Sequence, residues 1–335
     1  MSYTICLIPG DGIGCEVIAA AREVLEAINL PARFVEAEAG WSTFERHGVA
    51  LPDETLAAAQ QADATLLGAV GSPSRRVTGY SSPVVALRKA LDLYACVRPV
   101  STPPLPGARQ GIDLVVIREN TEGFYSGCEA SDGVRATALR VVTRAASERI
   151  ARFALSYARR HNRRRITIVH KANILRESCG LFRSTALEVL AEAAPILVDE
   201  LLVDTAAYEL VRAPERLDIV LTTNLFGDIL SDAASAWGGG LGLAASANIG
   251  PATAIFEPVH GSAPDIAGRG IANPLAAITA AAMLLDYLGE VERGDRVRAA
   301  IAKLLRSGPH TPDLGGSATT AEVTQAIVRY VSRDI

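Results

Sequence analysis

The stretch LTTNLFGDILSD, Leu221 to Asp232, continues the apolar run that begins at Ile219. Ile219-Val220-Leu221 reads as a buried strand, Thr222-Thr223-Asn224 as a polar loop, and Gly227 as the place where the chain turns into a helix. Strand, polar loop and helix start make up the repeating unit of an open α/β sheet, and such sheets put ligand sites at these loops. Asp228 and Asp232 lie four residues apart, so a helix presents both carboxylates on one face. Two hard oxygen ligands side by side suit Mg2+ or Mn2+. A bare surface pair of aspartates has the same spacing; the position at a strand end is what favours a site.

The same alternation runs outward from this stretch. Tyr3 to Ile8 reads as a strand, followed by the loop Pro9-Gly10-Asp11-Gly12-Ile13-Gly14 and a helix from about Glu16 to Ala27. This loop does not meet the dinucleotide fingerprint, because Cys15 stands where the last glycine belongs. It is expected to serve a tight turn and close backbone packing. Strands are expected at 34–37 and 64–67, with a helix behind Asp53 between them. Asp113 to Ile117 and Ile166 to His170 read as further strands, and Glu200 to Asp204 as a strand that delivers an aspartate at its end. Val134 to Val142 looks like an extended arm, and a helix capped near Thr143 follows it. The glycine-rich loop from Ile255 to Pro274 is long for a compact protein, and such loops are usually functional. Leu275 to Leu285 is alanine-rich and too short to span a bilayer, so it reads as a buried helix.

The totals narrow the classes. A chain of 335 residues with 49% hydrophobic residues is globular and long enough for two domains. Its net charge of −4 argues against a general nucleic-acid binder. The basic run Arg159 to Arg165 lacks interleaved aromatic residues and reads as a solvated helix end and loop. The five cysteines, Cys6, Cys15, Cys96, Cys128 and Cys179, show no CxxC spacing and are odd in number. Reduced thiols in a cytoplasmic protein are expected. The start, MSYTICLIPGDG, has no basic segment followed by a long apolar run, so no secretory signal is expected.

Arg88 and Arg98 sit in mostly apolar company, where a guanidinium needs an anionic partner, and the strand Asp113 to Ile117 delivers Arg118 at its C-terminal end. Internal ion pairs could supply it. So could a polycarboxylate, whose geometry matches the guanidinium fork. Lys171 stands at a strand end beside His170 and Asn173, where a lysine can act as a base or simply face solvent.

Read together and in order, GDGIG, LDLYACVRP, IRENTEGFY, HKAN, TTNLFGDILSD, EPVHGSAPDIAGRGIANP and TPDLGG resemble the β-decarboxylating dehydrogenases over the whole chain. That family includes isocitrate, 3-isopropylmalate, homoisocitrate and tartrate dehydrogenases. The resemblance implies the isopropylmalate-dehydrogenase-like fold, which is not a Rossmann fold. It has two α/β domains sharing one large mixed sheet. Residues 1–98 and 240–335 would form the large, nucleotide-binding domain, and 99–239 the small one. Residues 127–142 would form a dimer arm. A homodimer with shared active sites, or a tetramer, is implied, with no membrane and no nucleic acid as partner.

The resemblance also carries roles onto positions. Arg88, Arg98 and Arg118 would hold the substrate's carboxylates, Tyr125 would be the general acid, and Lys171 the catalytic lysine reaching across from the other subunit. Asn173 would lie near substrate and cofactor. Asp228, Asp232 and the partner's Asp204 would hold Mg2+ or Mn2+, which polarises the substrate hydroxyl. Val70, Gly71 and Ser72 would lie where substrate and nicotinamide meet. Gly261, Ser262, Ala263, Pro264, Asp265, Ile266 and Asn273 would form the nucleotide loop. Asp265 can accept from both ribose hydroxyls and repels a 2′-phosphate, so NAD is the expected cofactor; NADP-using relatives place a lysine and a tyrosine here.

Substrate choice rests on Tyr80-Ser81-Ser82-Pro83-Val84-Val85. Ser81 and Ser82 would not repel a distal carboxylate, and YSSPVVALR most resembles homoisocitrate dehydrogenases. The expected substrate is therefore a tricarboxylate, homoisocitrate, converted to 2-oxoadipate and CO2 in lysine biosynthesis. Val85 stands where some of those enzymes carry an arginine associated with accepting isocitrate. Isocitrate and 3-isopropylmalate are the alternatives, and a regulatory subunit of a heteromeric relative is the non-enzyme alternative.

Overall fold

The computed structural model describes residues 2–75 and 77–332. Among these, the strands in chain order are β1 (Tyr3–Gly10), β2 (Ala32–Glu36), β3 (Ala64–Ala69), β4 (Ala95–Ser101), β5 (Asp113–Glu119), β6 (Glu129–Ser131), β7 (Ala136–Ala138), β8 (Arg165–His170), β9 (Leu197–Leu202), β10 (Ile219–Thr222), β11 (Ala245–Ile249) and β12 (Ala254–Pro258). The helices are α1 (Gly14–Ala27), α2 (Trp41–His47), α3 (Asp53–Gln61), α4 (Pro83–Ala90), α5 (Arg144–Arg160), α6 (Ser178–Leu190), α7 (Val203–Arg212), α8 (Asn224–Ser235), α9 (Leu275–Tyr287), α10 (Val291–Ser307) and α11 (Thr320–Ser332). β6 and β7 pair with each other, and the other strands lie in mixed sheet.

Contacts divide the chain into two compact units. The first holds Met1–Leu91, Pro103–Ala108 and Gly238–Ile335; the second holds Asp92–Thr102 and Arg109–Trp237. Residues 92–98 thus fall with the second unit, although the sequence reading puts the boundary after 98. The cause is β4, which pairs along its whole length with β5.

In the first unit the strand order is β2-β1-β3-β12-β11, with only the β11–β12 pair antiparallel. This is not the doubly wound dinucleotide order. The glycine loop after β1 serves packing. A Cβ on Gly12, whose φ is +57°, would lie 2.0 Å from the Ser262 carbonyl oxygen. No side chain fits there, so the loop and the segment at Ser262 can touch backbone to backbone. The alanine-rich α9 is buried nearly all round and packs on α1, α10, β3, β11 and β12. Small side chains allow that many neighbours at once.

In the second unit the order is β4-β5-β10-β8-β9, with only the β4–β5 pair antiparallel. β10 reads Ile-Val-Leu-Thr and is buried throughout, as a central parallel strand should be. Val116 and Val220 share a core with Leu114, Leu210 and Leu230. Thr143 caps α5 by accepting from the Ala146 backbone N–H, 3.2 Å away. The expected arm is a short antiparallel hairpin, β6–β7, exposed throughout.

Part of the basic run is not a solvated end. Arg163 is half-buried and pairs with Asp113 at 2.7 Å and Asp218 at 3.0 Å. Among the described residues no cysteine forms a disulfide, and burial pushes the Cys6 thiol up to about 11. Among the described residues no helix is long and apolar enough to cross a membrane.

Candidate active site

Arg118 is the last residue but one of β5, and β10, its parallel neighbour, leads through Thr223 into α8. Gly227 is not a turn, contrary to the sequence reading; it lies inside the first part of α8. Its role is space. A Cβ there would sit 2.7 Å from Cβ and Cγ of Arg118. The missing side chain lets the arginine lie along the helix.

Arg118 is 1% exposed, and its donors are used on α8. Nε and Nη2 donate to Asn224 Oδ1 at 3.0 and 2.6 Å, and Nη1 donates to Asp228. Its guanidinium lies 5.2 Å from the Tyr125 ring centre. The Tyr125 hydroxyl donates to Asp228 Oδ2 at 2.7 Å. From β4, Arg98 donates through Nη1 to Ser231 Oγ and to Asp232 Oδ1, both at 2.7 Å, and its Nη2 lies 3.5 Å from Asp228. Asp228 is therefore the shared anion of two arginines and a tyrosine. Removing a buried guanidinium from water is costly unless it is paired and hydrogen-bonded, and this cluster does both.

The electrostatics follow from the packing. Burial first, then the hydrogen bond and charge of Asp228, push the Tyr125 hydroxyl above its ordinary range. A raised phenol keeps its proton at neutral pH and remains a donor. Burial also raises Asp232, against the pull of Arg98.

A second cluster forms around Lys171, at the end of β8. Its ammonium pairs with Asp204. That bond holds the Asp204 carboxyl below the usual range. Asp204 is not at a strand end, as the sequence suggests: β9 stops at Leu202, and Asp204 lies in the first turn of α7. Asn173 is exposed two residues after the lysine. Among the described residues no three Asp, Glu, His or Cys side chains gather into a metal cluster. One chain therefore brings Asp228 together with Asp232 but does not add Asp204 to them. The pair fits Mg2+ or Mn2+ by donor chemistry: both are carboxylates, one helical turn apart, with side chains 33% and 54% exposed. Further oxygen ligands would have to come from elsewhere.

In the first unit Arg88, on α4, pairs with Glu257 at 2.9 Å, and Asn248 donates to the same carboxylate oxygen at 2.8 Å. Asp11 accepts from the backbone N–H groups of Trp41, Ser42 and Gly71 and from the Ser42 hydroxyl. It thereby fixes the segment Val70-Gly71-Ser72. The Tyr80 hydroxyl donates to the Gly71 carbonyl at 3.0 Å, and its ring packs edge-on against Trp41 and Phe44. Ser81 is exposed, and Ser82 and Val85 are partly exposed on the start of α4.

The loop from Gly261 to Ile266 is seated on the first glycine loop, where Ile13 N–H donates to Ser262 O at 3.0 Å. Gly268 N–H donates to Glu16 at 2.7 Å. Ala263 takes a φ of +40° and Pro264 and Asp265 are exposed. The exposed carboxylate can accept hydrogen bonds from a ribose diol. Asn273 is buried; it accepts from Leu275 N–H at 3.0 Å and donates to Asp313 at 2.9 Å.

Sequence reasoning missed Asn224, Glu257 and Asp11 as partners of the site. Asn224 had a visible signal: it is the first polar residue of a helix that follows a buried strand. Glu257 lies on β12 and Asp11 in the first glycine loop, and neither had a local signal of its partner.

Residues 4–327 match the model of the family described as "Isocitrate/isopropylmalate dehydrogenase". A Thermus thermophilus protein named isocitrate/homoisocitrate dehydrogenase is 56% identical over 98% of this chain and 98% of its own. A Methanocaldococcus jannaschii homoisocitrate dehydrogenase is 47% identical over 99% of this chain and 98% of its own. Among solved structures, isocitrate dehydrogenase from Methylococcus capsulatus superposes with a TM-score of 0.94 at 44% identity, covering 99% of this chain and 100% of the other. With a full-length family match, close relatives and a shared fold, this chain belongs to the isocitrate/isopropylmalate dehydrogenase family.

Proposed function

We propose that the protein is an NAD-dependent dehydrogenase that oxidatively decarboxylates homoisocitrate to 2-oxoadipate, as a step of lysine biosynthesis. The observation that carries this reading is the convergence of Arg98, Arg118 and Tyr125 on Asp228, beside Asp232. Guanidinium forks recognise carboxylates, and paired aspartates recognise a hard cation. A carboxylate-rich 2-hydroxy acid presented with its metal satisfies both.

In this reading Arg88, Arg98 and Arg118 bind the malate-like carboxylates. Bound Mg2+ or Mn2+, held by Asp228, Asp232 and the partner's Asp204, would supply Lewis acidity at the hydroxyl, and NAD would supply the hydride acceptor. Lys171, as the free amine, takes the hydroxyl proton. After carbon dioxide leaves, Tyr125 gives its phenolic proton to the enol carbon. The raised affinity of Tyr125 for its proton suits that role. Val70, Gly71, Ser72, Asn173, Asn273 and the loop from Gly261 to Ile266 seat the cofactor. Asp265 disfavours a 2′-phosphate by charge.

A second copy of the chain completes the site in this reading. Val134 on the β6–β7 hairpin is 96% exposed and Val211 on α7 is 70% exposed; Leu139, Tyr208 and Ile229 are exposed as well. Apolar residues gathered on a hairpin and two helices suit a self-complementary interface.

The substrate assignment rests on Ser81 and Ser82, which offer hydroxyls and no charge to a distal carboxylate. Isocitrate is favoured as the second substrate by the Thermus relative's double name. Steady-state NADH formation with Mg2+, compared for homoisocitrate, isocitrate and 3-isopropylmalate, tests the assignment. Homoisocitrate is expected to have the highest kcat/KM by about tenfold, the discrimination available to a small change in one arm. NADP is expected to be a poorer cofactor than NAD. A preference for 3-isopropylmalate would make Val84 and Val85 the pocket that matters. No turnover with any of the three would favour a regulatory subunit.

A further inference from the structure

The lysine-bearing turn after β8 is held by groups that the chemistry above leaves unused. His170 is buried. Its Nδ1 accepts from the Ala172 backbone N–H at 3.1 Å. A nitrogen that accepts carries no proton, so the proton sits on Nε2. Nε2 is buried without a hydrogen-bond partner and lies 3.7 Å from Glu200 Oε2, a charge contact only. Glu200 is clamped by Arg183 through two bonds of 2.7 and 2.6 Å. The strand register explains the meeting. Glu200 on β9 pairs with Ile168 on β8, so its side chain lies diagonal to His170 on the same face.

The neighbouring amide is held too. Lys171 N–H donates to the buried Cys179 sulfur at 3.3 Å, and the Lys171 carbonyl accepts from Ile174 and Leu175. The backbone on both sides of Lys171 is thereby fixed by side chains from β8 and α6.

We infer that His170 is a positioning residue for Lys171: as the Nε2–H tautomer, with Nε2 turned toward the Glu200–Arg183 pair, it captures the Ala172 amide through Nδ1 and fixes the turn that aims the lysine. Burial lowers the basicity of His170, with Glu200 opposing, which agrees with a neutral ring. The inference rests on Lys171 being the base. A lysine on a four-carbon stem is flexible, and misplacement by about 1 Å can cost on the order of 10²-fold in rate. The backbone under it is what the ring controls.

Two experiments test this on the full-length protein. In the wild-type chain, 15N NMR of the histidine rings at neutral pH is expected to show His170 with Nδ1 unprotonated, and an Nδ1–H tautomer overturns the inference. The second experiment compares His170→Leu with His170→Asn. Asparagine side chains accept from the backbone N–H two residues on, so asparagine can replace the bond and leucine cannot. His170→Leu is expected to lower kcat about 10–100-fold with KM for the hydroxy acid little changed, and His170→Asn to stay within about threefold of wild type. Wild-type kcat in the leucine variant, or a folded asparagine variant as slow as the leucine one, overturns the inference. Where a variant does not fold, the tautomer decides. Lys171→Met separates the two readings: turnover without the lysine defeats the role of Lys171 itself.

Discussion

Lys171→Met is expected to lower kcat by about 10²–10⁴-fold, the range for loss of a positioned acid or base. KM for the hydroxy acid is expected to move far less, because the carboxylates are assigned to Arg88, Arg98 and Arg118. Methionine keeps most of the apolar stem and removes the amine. It also releases Asp204, whose carboxyl now owes its low proton affinity first to Lys171. The Asp204 carboxyl is therefore expected to titrate at higher pH in the variant than in wild type. Single-turnover kinetics read the first effect and carboxyl-selective NMR the second. Substantial turnover in Lys171→Met would place the base elsewhere.

Asp228→Asn is expected to have the second large effect, and it has two parts. Loss of one direct carboxylate ligand is expected to weaken Mn2+ binding by more than about 100-fold, since even supporting residues around a metal cost about 10–100-fold. Titration calorimetry measures this without reference to turnover. The other part is stability in the absence of metal. Arg118 is 1% exposed and would keep Asn224 but lose its charged partner. Breaking a fully buried ion pair costs about 3–5 kcal/mol. Asp228 is a third exposed and Asp232 remains beside Arg98, so about 1–2 kcal/mol is the expected loss. Unchanged Mn2+ affinity with a lowered melting temperature would make Asp228 a structural partner of Arg118 and no more.

These effects depend on contacts of different sequence range, and that explains what could be read in advance. Ile219 to Asp232 is a local pattern. Its apolar run, its polar break and its i, i+4 carboxylates show directly, and β10 and α8 are found there. The positions of Arg118 and Lys171 at strand ends were likewise legible. What those side chains touch was not. Arg118 meets Asn224 and Asp228, and Arg88 meets Glu257, more than a hundred residues away. Those meetings are set by which strands lie side by side, and no local pattern encodes that order.

Three readings of the sequence differ from the structure. Gly227 looked like a turn because glycine usually serves one, yet it is needed for the close approach of Arg118 from another strand. Asp204 looked like a strand end because Leu201-Leu202-Val203 is apolar. In the structure Val203 already begins α7, and Asp204 sits in the first turn, where helices favour an acidic residue. The basic run at 159–165 reads as solvated from composition, but Arg163 is drawn in by Asp113 and Asp218.

Within one chain, Lys171 and Asp204 form one cluster, and Arg98, Arg118, Tyr125, Asp228 and Asp232 form another. If two chains complete each site, the two large-effect variants should complement each other. A dimer of one Lys171→Met chain and one Asp228→Asn chain, purified through two different tags, has one site with both defects and one with neither. It is expected to recover roughly half of the wild-type activity, as symmetry dictates for one intact site of two. Pairing Lys171→Met with Asp204→Asn, two defects of the same cluster, should recover none. A hybrid dimer of the first pair with no more activity than its parents would contradict the shared site and require each chain to build its own.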